Sequence, residues 1–300
     1  MNKVFIIIFA VFLVVTTVGG ILHNLSGNSE SPDVKKVLIN YVIDGEEKPF
    51  DSYYAEHAVG EQLRIVSPTV NGYEPRIPVY AARVNSDMNI TVYYDFKAPE
   101  IPARKNAILY SANFDGAQTL EEAFNNGVLT LTGTGSLSGN HDAEIQKNML
   151  HVSDYGRIEL TDVTGIFNTD SYTVSFAMLF ESFNEKSVAT AFSWCYSKYD
   201  GGTSSRYGKA MRLDTSGKVY LNDATHVSAL ETNKWYVFTI HVDTAAKTNE
   251  LFINGVSFGK SAMQDPNLAE DVILRFFNTD SRTAYYMDNL VIYKGEPVKN

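Results

Sequence analysis

The fold is decided by the stretch Trp-Tyr-Val-Phe-Thr-Ile-His-Val-Asp, residues Trp235–Asp243 of a 300-residue chain. Large apolar side chains occupy every second position of this stretch, and a period of two is typical of a strand with one buried face. The sequence Leu-Phe-Ile-Asn-Gly-Val-Ser-Phe follows at Leu251–Phe258. Its Asn254-Gly255 dipeptide tolerates the positive φ angles of a type I′ turn, which predicts a hairpin. Two hairpins in tandem make an antiparallel meander.

The same pattern of short strands and turns fills residues 107–297. One capping-box sequence, Thr119-Leu120-Glu121-Glu122, predicts a short helix that ends at Asn126-Gly127. Many evenly spaced strands with almost no helix indicate two antiparallel sheets stacked as a sandwich. We therefore predict an all-β domain of the jelly-roll type.

Three segments of this region resemble the concanavalin A-like or laminin G-like jelly roll. They are Tyr155–Leu160, Trp235–Asp243 with Phe252–Gly255, and Met287–Tyr293. The resemblance spans the whole domain and implies its fold. It leaves the function open, because this family includes lectins, adhesion modules, glycanases and lyases.

Residues 36–96 predict a second, smaller β unit with turns at Asp44-Gly45 and Asn71-Gly72-Tyr73. The succession of Ile39–Gly45, Val59-Gly60-Glu61, Asn71–Pro75 and Ile90–Tyr94 resembles a mucin-binding-protein (MucBP) repeat. That resemblance implies a ubiquitin-like β module of a bacterial surface protein. A single copy is expected to serve as a stalk, with direct ligand binding as the alternative.

The N-terminus carries an apolar run. Lys3 precedes Val4–Leu22, which is 19 residues long and free of charge. This length lies between that of a signal-peptide core and that of a membrane-spanning helix. Residues 1–22 are thus either a cleaved signal peptide or a retained membrane anchor, and both predict export. Residues 23–35 form a polar linker, and residues 97–106 form a second linker that contains two prolines.

Charge and cysteine content narrow the possible partners. The net charge is −10 and no block of Lys and Arg interrupts the acidity, so nucleic-acid binding is not expected. The chain has one cysteine, Cys195, which excludes an intramolecular disulfide. We expect a glycan or another ligand on a host or cell surface as the partner, and the membrane as well if the N-terminal run is retained.

A catalytic site is not expected. Glycanases of this fold need two carboxylates across a glycosidic bond, and they usually present Glu-x-Asp-x-x-Glu on one strand. The nearest sequence is Asp142-Ala143-Glu144, among residues predicted to form a loop. The six histidines lack the spacing of metal ligands. An enzyme, either a glycoside hydrolase or a lyase, remains the alternative, and a structural adhesion or spacer protein is a further one.

A candidate ligand site lies around a predicted strand at Val188–Tyr196. Its large aromatic residues share one face, which is either core or a platform for sugar rings. The segment that follows is rich in polar and aromatic residues, and binding residues concentrate on such loops. The predicted ligand-binding residues are Trp194, Tyr196, Tyr199, Asp200, Arg206 and Tyr207.

A structural calcium ion is a further expectation, and it comes from the jelly-roll resemblance alone. Sandwiches of the laminin G type often connect the first and last strands through one calcium ion. Asp115 and Asp288 occupy the matching places in this sequence. Calcium needs six or more oxygen ligands, so two acids do not define a site, and Asp288 bonding to backbone is the alternative.

Overall fold

The structure is a computed structural model that describes residues 33–70, 72–124, 128–136, 143–153, 156–162, 164–183, 190–198, 206–214, 217–221, 225–227, 229–263, 272–277 and 283–298. The chain divides into two compact units, residues 1–96 and 97–300. The apolar run Val4–Leu22 lies outside the described residues. Within the ranges given, no helix is both long enough and apolar enough to cross a bilayer.

The N-terminal unit is a small β structure. Its strands are β1 (Val34–Ile43), β2 (Asp51–Ala58), β3 (Gln62–Val66), β4 (Tyr73–Pro75), β5 (Val79–Arg83) and β6 (Met88–Phe96). One sheet has the order β2-β1-β6-β4, with β1 and β6 parallel, and β3 pairs with β5. Alternate residues of β1 and β6, including Ile39 and Val92, are fully buried against Leu63 and Ile65 of β3.

The C-terminal unit contains the remaining elements. They are β7 (Ile108–Ala112), α1 (Leu120–Phe124), β8 (Leu129–Ser136), β9 (Ala143–Gln146), β10 (Met149–Val152), β11 (Gly156–Asp162), β12 (Ser171–Ser182), β13 (Thr190–Lys198), β14 (Arg206–Asp214), β15 (Val219–Leu221), β16 (Thr225–Val227), β17 (Trp235–Asp243), β18 (Thr248–Ile253), β19 (Val256–Ala262), β20 (Val272–Phe277) and β21 (Ala284–Lys294). The predicted helix is therefore present, and Thr119 Oγ1 caps it by accepting a hydrogen bond from the Glu122 amide at 3.2 Å.

These strands form two antiparallel sheets that enclose one core. The eight-stranded sheet has the order β19-β18-β17-β12-β21-β10-β9, with β7 also paired to β21. The seven-stranded sheet has the order β16-β15-β14-β13-β20-β11-β8. The predicted all-β jelly-roll sandwich is confirmed.

The meander that decided the prediction is present as β17-β18-β19. The alternating residues from Tyr236 to Val242 are buried in the core. Asn254 and Gly255 have φ angles of 50° and 77°, the left-handed conformation that a type I′ turn requires. The local pattern thus specified both the buried face and the turn.

The eight-stranded sheet also buries residues on its other face, which we call the outer face. On β12, Val174, Phe176 and Met178 point into the core. The intervening Ser175 and Ala177 therefore point to the outer face, yet both are fully buried. A sheet with one core face and one solvent face would leave these residues exposed, so the outer face is not a simple solvated surface.

Candidate functional site

A continuous row of residues crosses the outer face of the eight-stranded sheet. Its members belong to five neighbouring strands, and each is the direct backbone partner of the next. In order they are Glu144, His151, Tyr286, Leu179 and Trp235. Directly opposed residues lie close enough for their side chains to interact. The register therefore brings residues far apart in sequence onto one surface.

A β-bulge adds a second carboxylate to this row. The pairing of β12 with β21 shifts between Phe180 and Ser182, so Glu181 is the extra residue of the bulge. Its Oε2 lies 2.9 Å from Nε2 of His151. The other ring nitrogen, Nδ1, lies 3.9 Å from Oε1 of Glu144, which is an ion-pair distance and too long for a hydrogen bond. The imidazole is held between two carboxylates.

Tyr286 and the β9–β10 turn complete the group. The Tyr286 hydroxyl donates a hydrogen bond to Oε1 of Gln146. Its ring centroid is 4.8 Å from that of His151, and Nζ of Lys147 is 5.3 Å from the same tyrosine centroid. Lys147 and Asn148 have φ angles of 53° and 57°, so the turn is left-handed at both positions. We call the set Glu144, Gln146, Lys147, His151, Glu181 and Tyr286 the His151 cluster.

The electrostatics of the cluster keep Glu181 ionised. The hydrogen bond from His151 lowers the pKa of Glu181, and this effect outweighs burial, which raises it; the charges of His151 and Lys147 lower it further. An ionised carboxylate only accepts hydrogen bonds, so Nε2 of His151 carries the proton. The side chains of Glu144 and Glu181 are 65% and 37% exposed, whereas that of His151 is 14% exposed. The cluster therefore presents accessible carboxylate acceptors around a largely buried imidazole.

The described side chains of the cluster are not arranged to chelate a metal ion. The two nitrogens of His151 face different carboxylates on opposite sides of the ring, so these three groups do not converge on one point. Across the described part of the chain, no group of three or more His, Cys, Asp or Glu residues is arranged to hold a metal. The interactions seen within the described part of the cluster are hydrogen bonds, ring contacts and charge.

Four of the six predicted ligand-binding residues lie on strands of the seven-stranded sheet. Pairing of β13 with β14 sets Arg206 opposite Lys198 and Tyr207 opposite Ser197. Tyr196 lies on the same β13 strand, opposite Gly208. Tyr199 and Asp200 fall outside the described residues.

The register of Trp194 bears on the choice between core and platform. Trp194 pairs with Met211 on one side and with Phe276 on the other, and both of these are buried in the core. Directly paired residues share a face of a sheet. The backbone register alone does not decide between core and platform, because the side chains of β13 lie outside what the structure describes. The ligand-binding role of this set stays a prediction.

The two predicted calcium ligands lie near each other. Asp288 is 8% exposed and accepts hydrogen bonds from the backbone amides of Asn289, at 2.7 Å, and Phe114. Burial, with a smaller contribution from the charge of Asp115, raises the pKa of Asp288 to about 6, although hydrogen bonds from the two amides lower it. Two carboxylates, one already bonded to backbone, do not supply the six to eight oxygens that calcium prefers. The described residues do not form a calcium site by themselves, and calcium binding stays a prediction.

The His151 cluster was missed in the sequence. Glu144 was named in the sequence as part of the nearest match to the glycanase motif. Its predicted place in a loop is wrong, because it lies on β9. The available signal was a polar residue at an outward position of an apolar strand. His151 stands between Leu150 and Val152, both fully buried, and Glu181 directly follows the apolar run of β12.

Comparison with known proteins yields structural likeness only. No protein-family model matches the chain, and no curated protein matches it. Among solved structures, it is similar to the potassium-bound carbohydrate recognition domain of Emp46p, at 10% identity over 65% of this chain and 100% of that one, with a TM-score of 0.46.

Two further similar structures are longer than this chain. A botulinum neurotoxin type C structure, described in terms of cell entry through two ganglioside molecules, has 11% identity over 63% of this chain and a TM-score of 0.42. A sialidase has 11% identity over 63% of this chain and a TM-score of 0.40. The matches span 48% of the neurotoxin chain and 19% of the sialidase chain. At this level of similarity they do not indicate a ligand.

Proposed function

We propose that the chain is an exported surface protein whose sandwich recognises a glycan, or another surface ligand of similar chemistry, through the His151 cluster. The observation that carries the proposal is the pair of accessible carboxylates, Glu144 and Glu181, held around one imidazole on the outer face. Sugars present many hydroxyl donors, and ionised carboxylates are strong acceptors for them.

Preorganisation supports the same conclusion. His151 fixes Glu181, and Gln146 is fixed by the hydroxyl of Tyr286, which is itself 2% exposed. Polar groups that are already positioned lose little side-chain entropy when a ligand binds. A polar group held by a buried neighbour is the arrangement that a recognition site needs.

A glycan array probed with the full chain tests this proposal. Glu181→Gln and His151→Ala are expected to weaken binding by about tenfold or more, because each removes a charge-assisted contact or its support. The matched control is Glu61→Gln, since Glu61 makes a comparable contact to His57 in the N-terminal unit, at 3.1 Å. Equal loss in the control variant would contradict a local site.

The same array separates the competing sites and functions. Trp194→Ala and Tyr199→Ala probe the alternative ligand site predicted from the sequence. Loss of binding in these variants alone would move the site to those residues. Absence of any glycan binding would favour the structural spacer.

The remaining parts of the chain have proposed roles that rest on sequence. Residues 1–22 direct export, as a cleaved signal or as an anchor, and the unit at residues 36–96 serves as a MucBP-like stalk. Fractionation of expressing cells with N-terminal sequencing of the product tests the first role. A cytoplasmic product with an intact N-terminus would contradict it.

Calcium is proposed as a structural ion beside Asp115 and Asp288, on the strength of the family resemblance. Calcium that binds only the folded state raises the melting temperature. The expected result is a rise in Tm with added calcium that Asp115→Asn abolishes. An unchanged Tm at millimolar calcium would reject the ion.

A carbohydrate-active enzyme is the second candidate, and one observation favours it: Glu144 and Glu181 flank the same imidazole. Hydrolysis needs one protonated acid beside one carboxylate. Glu181 meets the requirement for an ionised carboxylate. The raised pKa of Asp288 would suit the protonated acid, but this side chain is already bonded to backbone amides. A binding function is therefore favoured over hydrolysis. Release of reducing ends or unsaturated products from polysaccharides, abolished by Glu181→Gln, would instead establish an enzyme.

A further inference from the structure

The His151 cluster already contains an ammonium group that belongs to the protein. Nζ of Lys147 lies 5.3 Å from the ring centroid of Tyr286. The charge of Lys147 also helps to lower the pKa of Glu181, which places the ammonium within electrostatic reach of that carboxylate. An aromatic face and a carboxylate are the two surroundings that a primary ammonium prefers in proteins.

Among the described residues of the cluster, two carboxylates, Glu144 and Glu181, stand against one lysine, and His151 lies between the two acids. Glu144 is the more exposed of the two carboxylates, at 65%. The whole chain carries a net charge of −10, so the surrounding field also attracts cations.

Lys147 occupies a position from which it can be displaced. It is exposed, and it lies in the two-residue turn between β9 and β10. A lysine side chain held in place loses substantial rotamer entropy, which is regained on release. The acidic and aromatic groups around it are instead anchored on four strands of the sheet.

We propose that the His151 cluster selects glycans that carry a free primary amine, and that the amine takes the place of Lys147 against Tyr286 and Glu181. The ligand class is an oligosaccharide of hexosamine units without N-acetylation. This inference rests on the proposed function and specifies its substrate. N-acetylation removes the charge, and sulfate or carboxylate groups meet the repulsion of Glu144 and Glu181.

Calorimetric titration of the full chain with matched oligosaccharides tests the inference. The probes are β-1,4-linked glucosamine oligomers and the N-acetylated oligomers of the same length. The expected result is at least about tenfold tighter binding of the free amine, because a charge-assisted contact is lost on acetylation. Glu181→Gln is expected to reduce that preference to less than about twofold.

Lys147→Gln gives the sharpest result, since it removes the internal competitor. It is expected to tighten binding of the amine oligomer by about threefold and to leave the N-acetylated oligomer unaffected. The matched control is Lys234→Gln, because Lys234 lies 5.6 Å from the ring centroid of Tyr236 and 3.2 Å from Glu231. That variant is expected to bind like the unmodified chain. Circular dichroism and melting curves verify that each variant folds. Glu181→Asp is a second variant at this position, and it keeps the carboxylate that Glu181→Gln removes.

Each outcome separates the inference from the proposed function. Equal binding of both oligomers, or binding only of other glycans on the array, overturns the amine preference and leaves glycan recognition standing. Absence of all glycan binding overturns both. Binding of oligolysine as tight as that of the amine oligomer, unchanged by Glu181→Gln, shows attraction of any polycation to the acidic chain and overturns the inference.

Discussion

At the scale of single residues, Glu181 links the cluster to the pH dependence of stability. Its pKa in the folded chain is lowered from an ordinary 4.5, chiefly by the hydrogen bond from His151. A group with a depressed folded pKa stabilises the fold above its unfolded pKa, and this contribution is lost as the pH falls through the folded pKa. Glu181→Gln is therefore expected to lower Tm at neutral pH and to have a diminishing effect below about pH 4.5. A Tm difference that stays constant from neutral to strongly acidic pH would contradict this.

The pKa of Asp288 shifts in the opposite direction from that of Glu181, so its ionisation has the opposite effect on stability. Burial raises its pKa from 3.8 to about 6 in the folded chain, so the folded state binds the proton more tightly than the unfolded state. Its ionisation thus destabilises the fold as the pH rises between these two values, by about 1–3 kcal/mol. Asp288→Asn is expected to flatten the dependence of Tm on pH in that window. Parallel melting curves of both chains across the window would contradict the assignment.

At the scale of elements, the β18–β19 hairpin depends on one asparagine. The side chain of Asn254 accepts a hydrogen bond from the Val237 amide at 2.8 Å, while its own amide donates to the Val237 carbonyl, also at 2.8 Å. Asn254→Ala loses the first bond and puts a residue that tolerates the left-handed conformation less well than asparagine at this position, so we expect a loss of about 2–3 kcal/mol in unfolding free energy. Asn254→Gly removes only the side-chain bond and is expected to cost about half as much. Equal losses in urea denaturation would contradict this partition.

Local elements were predictable from the sequence because their causes are local. The period of two in β17, the Asn254-Gly255 turn and the capping residue Thr119 each act within a few residues of chain. The His151 cluster was not predictable in this way. It depends on the register between strands far apart in sequence and on the bulge at Glu181, and no short motif encodes either feature.

At the scale of the whole molecule, the segment predicted as a proline-containing linker, residues 97–106, makes a defined contact within the C-terminal unit. The Asn289 side chain donates a hydrogen bond to the Pro99 carbonyl at 3.0 Å. A fragment that begins at Lys97 is therefore expected to be more stable than one that begins at Ala107, by about 1 kcal/mol for this bond. Urea denaturation of both fragments measures the difference.

A substitution at Asn289 isolates that contact. Asn289 has a φ angle of 55°, which glycine also tolerates, so Asn289→Gly keeps the backbone and removes the bond. It is expected to destabilise the longer fragment and to leave the shorter one unchanged. The same loss in both fragments would show that Pro99 does not contribute.

The placement of Tyr286 on the last strand, 140 residues beyond its partner Gln146, has a consequence for how the protein is made. The ribosome synthesises the N-terminal unit and most strands of the sandwich before it reaches Tyr286. Chains that terminate before Ala284 would lack Tyr286, which contacts Gln146 and the ring of His151. Ligand binding at the proposed site therefore requires that synthesis has passed Lys294.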